Sequence, residues 1–153
     1  MNGAYSYKDG YREGVLFLFC RNGKVLIEDR GQGFDKEAFF PNGSIEIKDK
    51  ESEPYILTAL FREIKEEFAG KINVKNIVDL GELKVDEISV IFYIYCITDW
   101  DGEFPEFIKE EGEPNSRLGM FSVEEARQMV NYDSALEILK RVDNYFVSGH
   151  YDG

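Results

Sequence analysis

Arg62-Glu63-Ile64-Lys65-Glu66-Glu67 sets three carboxylates at spacings 0, +3 and +4. One helical turn brings such residues together. At about 100° per residue, Glu66 lies roughly 60° to one side of Glu63 and Glu67 roughly 40° to the other. Like charges this close repel and weaken an isolated helix. A divalent cation reverses the sign of that interaction. Mg²⁺ takes oxygen ligands in octahedral geometry, often a few carboxylates together with substrate phosphates. A solvated acidic face is the competing reading of the same six residues.

The flanking pattern is helical. From Pro54 to Phe68, the residues Leu57, Leu60, Phe61, Ile64 and Phe68 form an apolar stripe. Its centre falls roughly 115° around the helix from Glu63, so the carboxylates are expected on their own face, beside the core face. Ala59 falls within the carboxylate face, where a small side chain leaves room for a ligand. Ser52 is the expected N-cap, with Pro54 in the first turn.

Upstream, Phe39-Phe40-Pro41-Asn42-Gly43-Ser44-Ile45-Glu46 reads as a strand end, a turn and an extended segment. Joined to Ala59-Leu60-Phe61-Arg62-Glu63-Ile64-Lys65-Glu66-Glu67, it resembles the signature of the Nudix hydrolases, the MutT-like family. That signature is G-x5-E-x7-R-E-U-x-E-E-x-G-U, with U aliphatic. Gly14 to Arg30, with its Arg21-Asn22-Gly23-Lys24 turn, is similar to the family's opening hairpin, and Leu118 to Met129 resembles its closing strand and following helix. The chain also departs from the pattern. Gly43 and Arg62 are nineteen positions apart where the family has fourteen, so five residues are extra, placed in the loop from Ile47 to Ser52. Counting back from Arg62 puts Pro54 where the family has its first Glu, and Glu51 or Glu53 could substitute. Asn42-Gly43 replaces Gly-Gly, and Asn tolerates a positive φ. Ala69 stands at the helix-ending Gly, with Gly70 next to it able to supply the left-handed cap.

The resemblance implies an α+β fold, a Nudix-like α/β/α sandwich with a curved mixed β-sheet. It implies hydrolysis of a diphosphate bond in a nucleoside diphosphate linked to another moiety, of nucleoside triphosphate or nucleotide sugar type. Glu66 and Glu67 would bind Mg²⁺, or Mn²⁺ in its place. Glu63 would be a ligand or the base that activates water, and the Gly43 carbonyl a further ligand. Arg62 is expected to brace the loop before the helix. A late-loop Glu often assists in this family, and Glu110, Glu111 and Glu113 are candidates. Lys48 and Lys50, cations in the inserted loop, could meet substrate phosphates or simply be solvated. Phe34, Phe39, Tyr93 and Tyr95 are candidates to stack a base. The altered signature also allows a nucleotide-binding regulatory protein without catalysis. An unrelated acidic interaction domain is the third reading.

Composition narrows the classes. The 153 residues suit one domain spanning 1–153, and 43% hydrophobic with 14% aromatic residues suits a folded globule. Lys and Arg number 18 against 30 Asp and Glu, a net charge of −12. Such a chain repels nucleic acid and anionic membranes. A nucleotide-type small molecule is the expected partner, with a cation between it and the acidic protein; a homodimer is compatible. No apolar run reaches transmembrane length, and the polar, Tyr-rich stretch from Met1 to Gly14 is unlike a signal peptide, so a cytoplasmic protein is expected. Cys20 and Cys96 lie in apolar strand-like runs and read as buried reduced thiols. His150, the single histidine, lies in the polar tail, which argues against His-centred catalysis or a His-ligated zinc.

Elsewhere the pattern alternates between strands and helices. Gly14 to Cys20 and Lys24 to Arg30 read as a hairpin through Asn22-Gly23. Ile72 to Lys84 and Ile88 to Ile97 read as strands joined near Asp86-Glu87, with the apolar Val90 to Ile97 run central in the sheet. Asp99 to Arg117 reads as an irregular acidic loop. Ser122-Val123-Glu124-Glu125 and Ser134-Ala135-Leu136-Glu137 each carry a capping-box pattern opening a helix, the last running to about Val147.

Overall fold

The computed structural model describes residues 4–29, 38–105, 107–108, 116–130 and 132–148. Among the described residues, eight strands form one mixed sheet: β1 Tyr7–Lys8, β2 Tyr11–Arg21, β3 Lys24–Asp29, β4 Asn42–Ser44, β5 Asn73–Val85, β6 Val90–Asp101, β7 Phe107–Ile108 and β8 Ser116–Ser122. The order is β5-β6-β2-β3-β8-β7, with β1 and β4 also pairing β2. Only β2 and β6 run parallel among these pairs, in register from Arg12↔Val90 to Phe19↔Ile97. Both are nearly continuous apolar runs because both faces of the sheet are covered.

Strand alternation divides the core. Leu16, Leu18 and Cys20 of β2, with Phe92, Ile94 and Cys96 of β6, pack with helices α2 (Val123–Met129) and α3 (Asp133–Ser148). Val15, Phe17 and Phe19, with Ile91, Tyr93, Tyr95 and Ile97, pack with α1 (Tyr55–Glu67) on the other face. The sandwich is therefore α/β/α, as the sequence leads one to expect. Cys20 and Cys96 are free and buried. Among the described residues, no helix is long and apolar enough to cross a membrane.

Several boundaries differ from the sequence reading. The first capping box forms in both directions: Glu125 N donates to Ser122 Oγ at 3.1 Å and Ser122 N donates to Glu125 Oε1 at 2.9 Å. The second does not set a helix start, because α3 begins at Asp133 and Ser134 lies inside its first turn. At α1 the cap residue is Pro54 rather than Ser52, and no side chain caps it. The helix ends through left-handed Ala69 (φ 54°) and Gly70 (φ 73°). The inserted loop folds into a 3-10 turn, Ile47–Glu51, that exposes Ile47 and buries Asp49. Two residues of the expected acidic loop, Phe107–Ile108, form β7 and pair with β8.

Candidate functional site

The orientation of α1 governs the site. Ala59 is 0% exposed and belongs to the core under the helix, whereas Phe61 is 46% exposed. The buried face is thus turned away from the centre of the sequence stripe and toward Glu63. The space expected beside Ala59 is filled by the core. The same rotation presses the Glu63 side chain, 15% exposed, against β4. A Cβ on Gly43 would lie 2.0 Å from Glu63 Cδ, so no larger residue fits at Gly43 without moving that carboxyl. This close approach is what requires glycine. Asn42 and Gly43 sit in a strand paired with Leu16 and Val15 and neither has a positive φ. The expected left-handed turn at Asn42 does not occur, and its amide instead donates to the Phe40 carbonyl at 2.9 Å.

Arg62 is the hub of the charged groups. Its Nε and Nη2 donate to the two Asp49 oxygens, each at 2.9 Å, a bidentate pair. Nη2 also donates to the Ser44 carbonyl at 3.0 Å. Nη1 donates to Glu63 Oε2 at 2.9 Å and Glu66 Oε1 at 3.2 Å, and lies 3.6 Å from Glu46 Oε2. Arg62 therefore braces the preceding loop and also sits among the helix carboxylates. The carboxylate that meets it is Asp49, while Glu51 and Glu53 are exposed. Sequence counting missed Asp49 because a 3-10 turn, not an extended loop, sets the reach. Glu46 was missed too, although it follows Gly43 by three positions.

The electrostatics separate these acids. Burial pushes the Asp49 carboxyl up, but the Arg62 guanidinium, the Glu46 backbone N–H and Lys48 outweigh it and hold it below the usual range. Burial pushes Glu63 up and wins: Arg62 opposes it, and the neighbouring Glu66 and Glu46 add to the rise. Glu46 Oε1 is buried and makes no hydrogen bond, but it forms an ion pair with the Lys48 ammonium at 3.3 Å. Glu66 is 58% exposed and Glu67 half-buried. The Lys50 ammonium points elsewhere, 3.9 Å from Glu13 and 5.1 Å from the centre of the Tyr55 ring. Glu110, Glu111 and Glu113 lie outside the described residues, as do Phe34 and His150.

The chemistry of the donors suits a hard cation. Around one guanidinium stand Glu46, Asp49, Glu63 and Glu66, with Glu67 adjacent on the helix, all oxygen donors. A Glu63 carboxyl raised by burial, and further by the neighbouring Glu66 and Glu46, is a feature a cation would relieve. Among the described residues, however, no three acidic side chains converge closely enough to hold a metal ion as they stand.

Gly43 also borders a cavity of about 420 Å³, within the roughly 300–1,000 Å³ of ligand pockets. Phe39, Phe92 and Tyr132 line it; the Phe39 ring lies 6.2 Å from Phe92 and 5.8 Å from Tyr132, centre to centre. Arg12, hydrogen-bonded to Ser44 Oγ, is the one cation among the described lining residues, against carboxylates from Glu28, Glu87 and Asp133. Of the described base-stacking candidates, only Phe39 reaches this cavity. Tyr93 and Tyr95 are buried in the core on the α1 face.

No family model matches the sequence, and no curated protein is similar to it. Solved structures are similar in fold. A MutT Nudix hydrolase from Burkholderia pseudomallei is 19% identical over 86% of this chain and 97% of its own, with a TM-score of 0.64. An ADP compounds hydrolase is 18% identical over 90% of this chain and 74% of its own, at 0.67. The C-terminal domain of mouse MUTYH, seen in complex with human PCNA, is 14% identical over 87% of this chain and 88% of its own, at 0.58. The chain has the fold of the Nudix hydrolases, joined here to an acidic helix face that meets an aromatic-lined cavity at Gly43.

Proposed function

We propose that this protein hydrolyses a diphosphate bond in a nucleoside diphosphate linked to another moiety, with Mg²⁺ or Mn²⁺ as cofactor. The observation that carries this reading is the shared residue: Gly43 abuts the Glu63 carboxyl and also lines the aromatic cavity. A diphosphate held at the helix thus has a pocket for its nucleoside within reach.

Glu66 and Glu67 would hold the metal from the solvent side, with Glu63 and the Gly43 carbonyl completing the protein ligands. A bound Mg²⁺ supplies phosphate charge neutralisation and a more acidic water. Glu63, its pKa raised by burial and like charges, is placed to take a proton from water if it is not a ligand. Arg62 and Asp49 hold α1 and the preceding turn in place. Phe39 and Tyr132 offer faces for a base, and the carboxylates of the cavity favour a base edge bearing N–H donors over one bearing acceptors. Arg12 is suited to an anionic group at the cavity mouth. Free buried thiols at Cys20 and Cys96 fit a cytoplasmic protein.

A second reading, nucleotide binding without turnover, is favoured by one observation: Arg62 already bridges Glu63 and Glu66. A screen of nucleoside triphosphates and nucleotide sugars, with and without Mg²⁺, separates the two. Metal-dependent phosphate release is the expected result. Binding without release in any metal condition supports the regulatory reading instead.

A further inference from the structure

Glu13 has no role in the chemistry above, yet it is a carboxylate with 0% exposure. Withdrawing a charge so completely is strongly unfavourable unless donors replace water. Here they do. Ser6 Oγ donates to Oε1 at 2.5 Å, and the Tyr55 and Tyr93 hydroxyls both donate to Oε2 at 2.6 Å. The Lys50 ammonium stands 3.9 Å away. Hydroxyl bonds to a carboxylate are short and strong. They outweigh burial and hold the Glu13 carboxyl below the usual range.

The donors come from separate elements: the approach to β1, the 3-10 turn, the first residue of α1, and β6. The Glu13 backbone is engaged as well, accepting from Ile45 N at 2.9 Å, two residues beyond Gly43. A single residue thus grips the chain just after Gly43 through its carbonyl and the start of α1 through its carboxylate. The inserted turn, with Asp49 and its Arg62 partner, lies between those two grips. Apolar contacts of Leu60 and Ile64 hold the helix to the sheet but are non-directional and tolerate sliding. The hydroxyl of Tyr55 is directional and opposes it.

We propose that Glu13 is a positioning residue that sets the distance between Gly43 and the α1 carboxylates by holding the start of the helix through Tyr55. This rests on the site reading given above.

Tyr55 and Tyr93 make an internal control. Both hydroxyls reach the same oxygen at the same 2.6 Å. Tyr93, however, ties Glu13 to β6, which already pairs with β2 along its ladder, whereas Tyr55 ties it to the helix. Tyr55→Phe and Tyr93→Phe should therefore melt at similarly lowered temperatures and differ at the site. In Tyr55→Phe, backbone amides from 46 to 58 should exchange roughly tenfold faster. kcat should fall roughly tenfold at nearly unchanged KM, as for a small misplacement of the reacting groups. Tyr93→Phe, whose hydroxyl also faces that of Tyr55, should move both readouts clearly less than Tyr55→Phe does. Exchange and kcat that change alike in the two variants, or in neither, overturn the proposal, as does an exchange contrast without a kcat contrast in an active enzyme. A wild-type chain that turns over none of the nucleotides removes the hydrolase reading alone; the exchange contrast then decides whether Glu13 positions the helix.

Discussion

Glu13, on β2 at the start of α1, and Glu63, on α1 itself, are two carboxylates withdrawn from water, and their surroundings drive them in opposite directions. Glu13 is met by three hydroxyl donors and is easier to ionise than a free carboxyl despite complete burial. Glu63 is less buried, shares one guanidinium with three other acids, and is harder to ionise. The difference lies in the supply of donors rather than in depth. Where donors match acceptors, a buried acid can hold elements together. Where acids outnumber donors, the deficit is one that an added cation can fill.

The largest test of this contrast is at the proposed metal-binding face of α1. Glu67→Gln should lower turnover by roughly a hundredfold or more, the loss of an electrostatic contribution of several kcal/mol, with the fold intact by circular dichroism. Full activity in a folded variant would remove the helix face from the mechanism. Next in size is the clamp. Asp49→Ala breaks a bidentate pair in which Asp49 is buried and leaves Arg62 without its main partner, so it should destabilise the protein by about 3 kcal/mol in urea unfolding. An effect below about 1 kcal/mol would mean the inserted turn is an ornament of spacing.

Smaller effects follow from pH. Glu13 and Asp49 are depressed, so the stability they supply is present above the unfolded carboxylate pKa and lost as pH falls through their folded values. Glu63 is raised, so its ionisation reduces stability as pH climbs from the unfolded value through the folded one. Glu63→Gln should accordingly melt higher than wild type at neutral pH without metal, and no higher in acid below that window. An equal gain at both pH values would refute the account of Glu63 as raised by burial and like charges. Saturating Mg²⁺ should make the wild-type rate increase from neutral to mildly alkaline pH, measured as phosphate release, and an acid optimum would contradict a metal-activated water. The smallest change belongs to Lys48→Ala. Its ammonium is largely exposed beside Glu46, so stability should move by less than about 0.5 kcal/mol. A raised KM in that variant would show that Lys48 leaves Glu46 to meet substrate phosphate.

Much of this molecule is legible in its residues. Apolar runs at Val15 to Cys20 and Val90 to Ile97 announce the central strands, because a strand covered on both faces has no polar side to show. Ser122 and Glu125 announce a helix start, because a capping box satisfies backbone donors by local geometry. Arg62-Glu63-Ile64-Lys65-Glu66-Glu67 announces a crowded acidic helix face, since helical spacing alone brings those residues together. Other features depend on contacts that spacing does not encode. The rotation of α1 buries Ala59, exposes Phe61 and presses Glu63 onto Gly43, and it is set by how the helix docks on the sheet. Asp49 reaches Arg62 only because the inserted residues coil into a 3-10 turn. Glu13 and Tyr93, 80 residues apart, meet across adjacent strands. Local periodicity and capping are fixed within a few residues along the chain. Which buried acid finds donors is decided by residues far apart in sequence, and so by the tertiary fold alone.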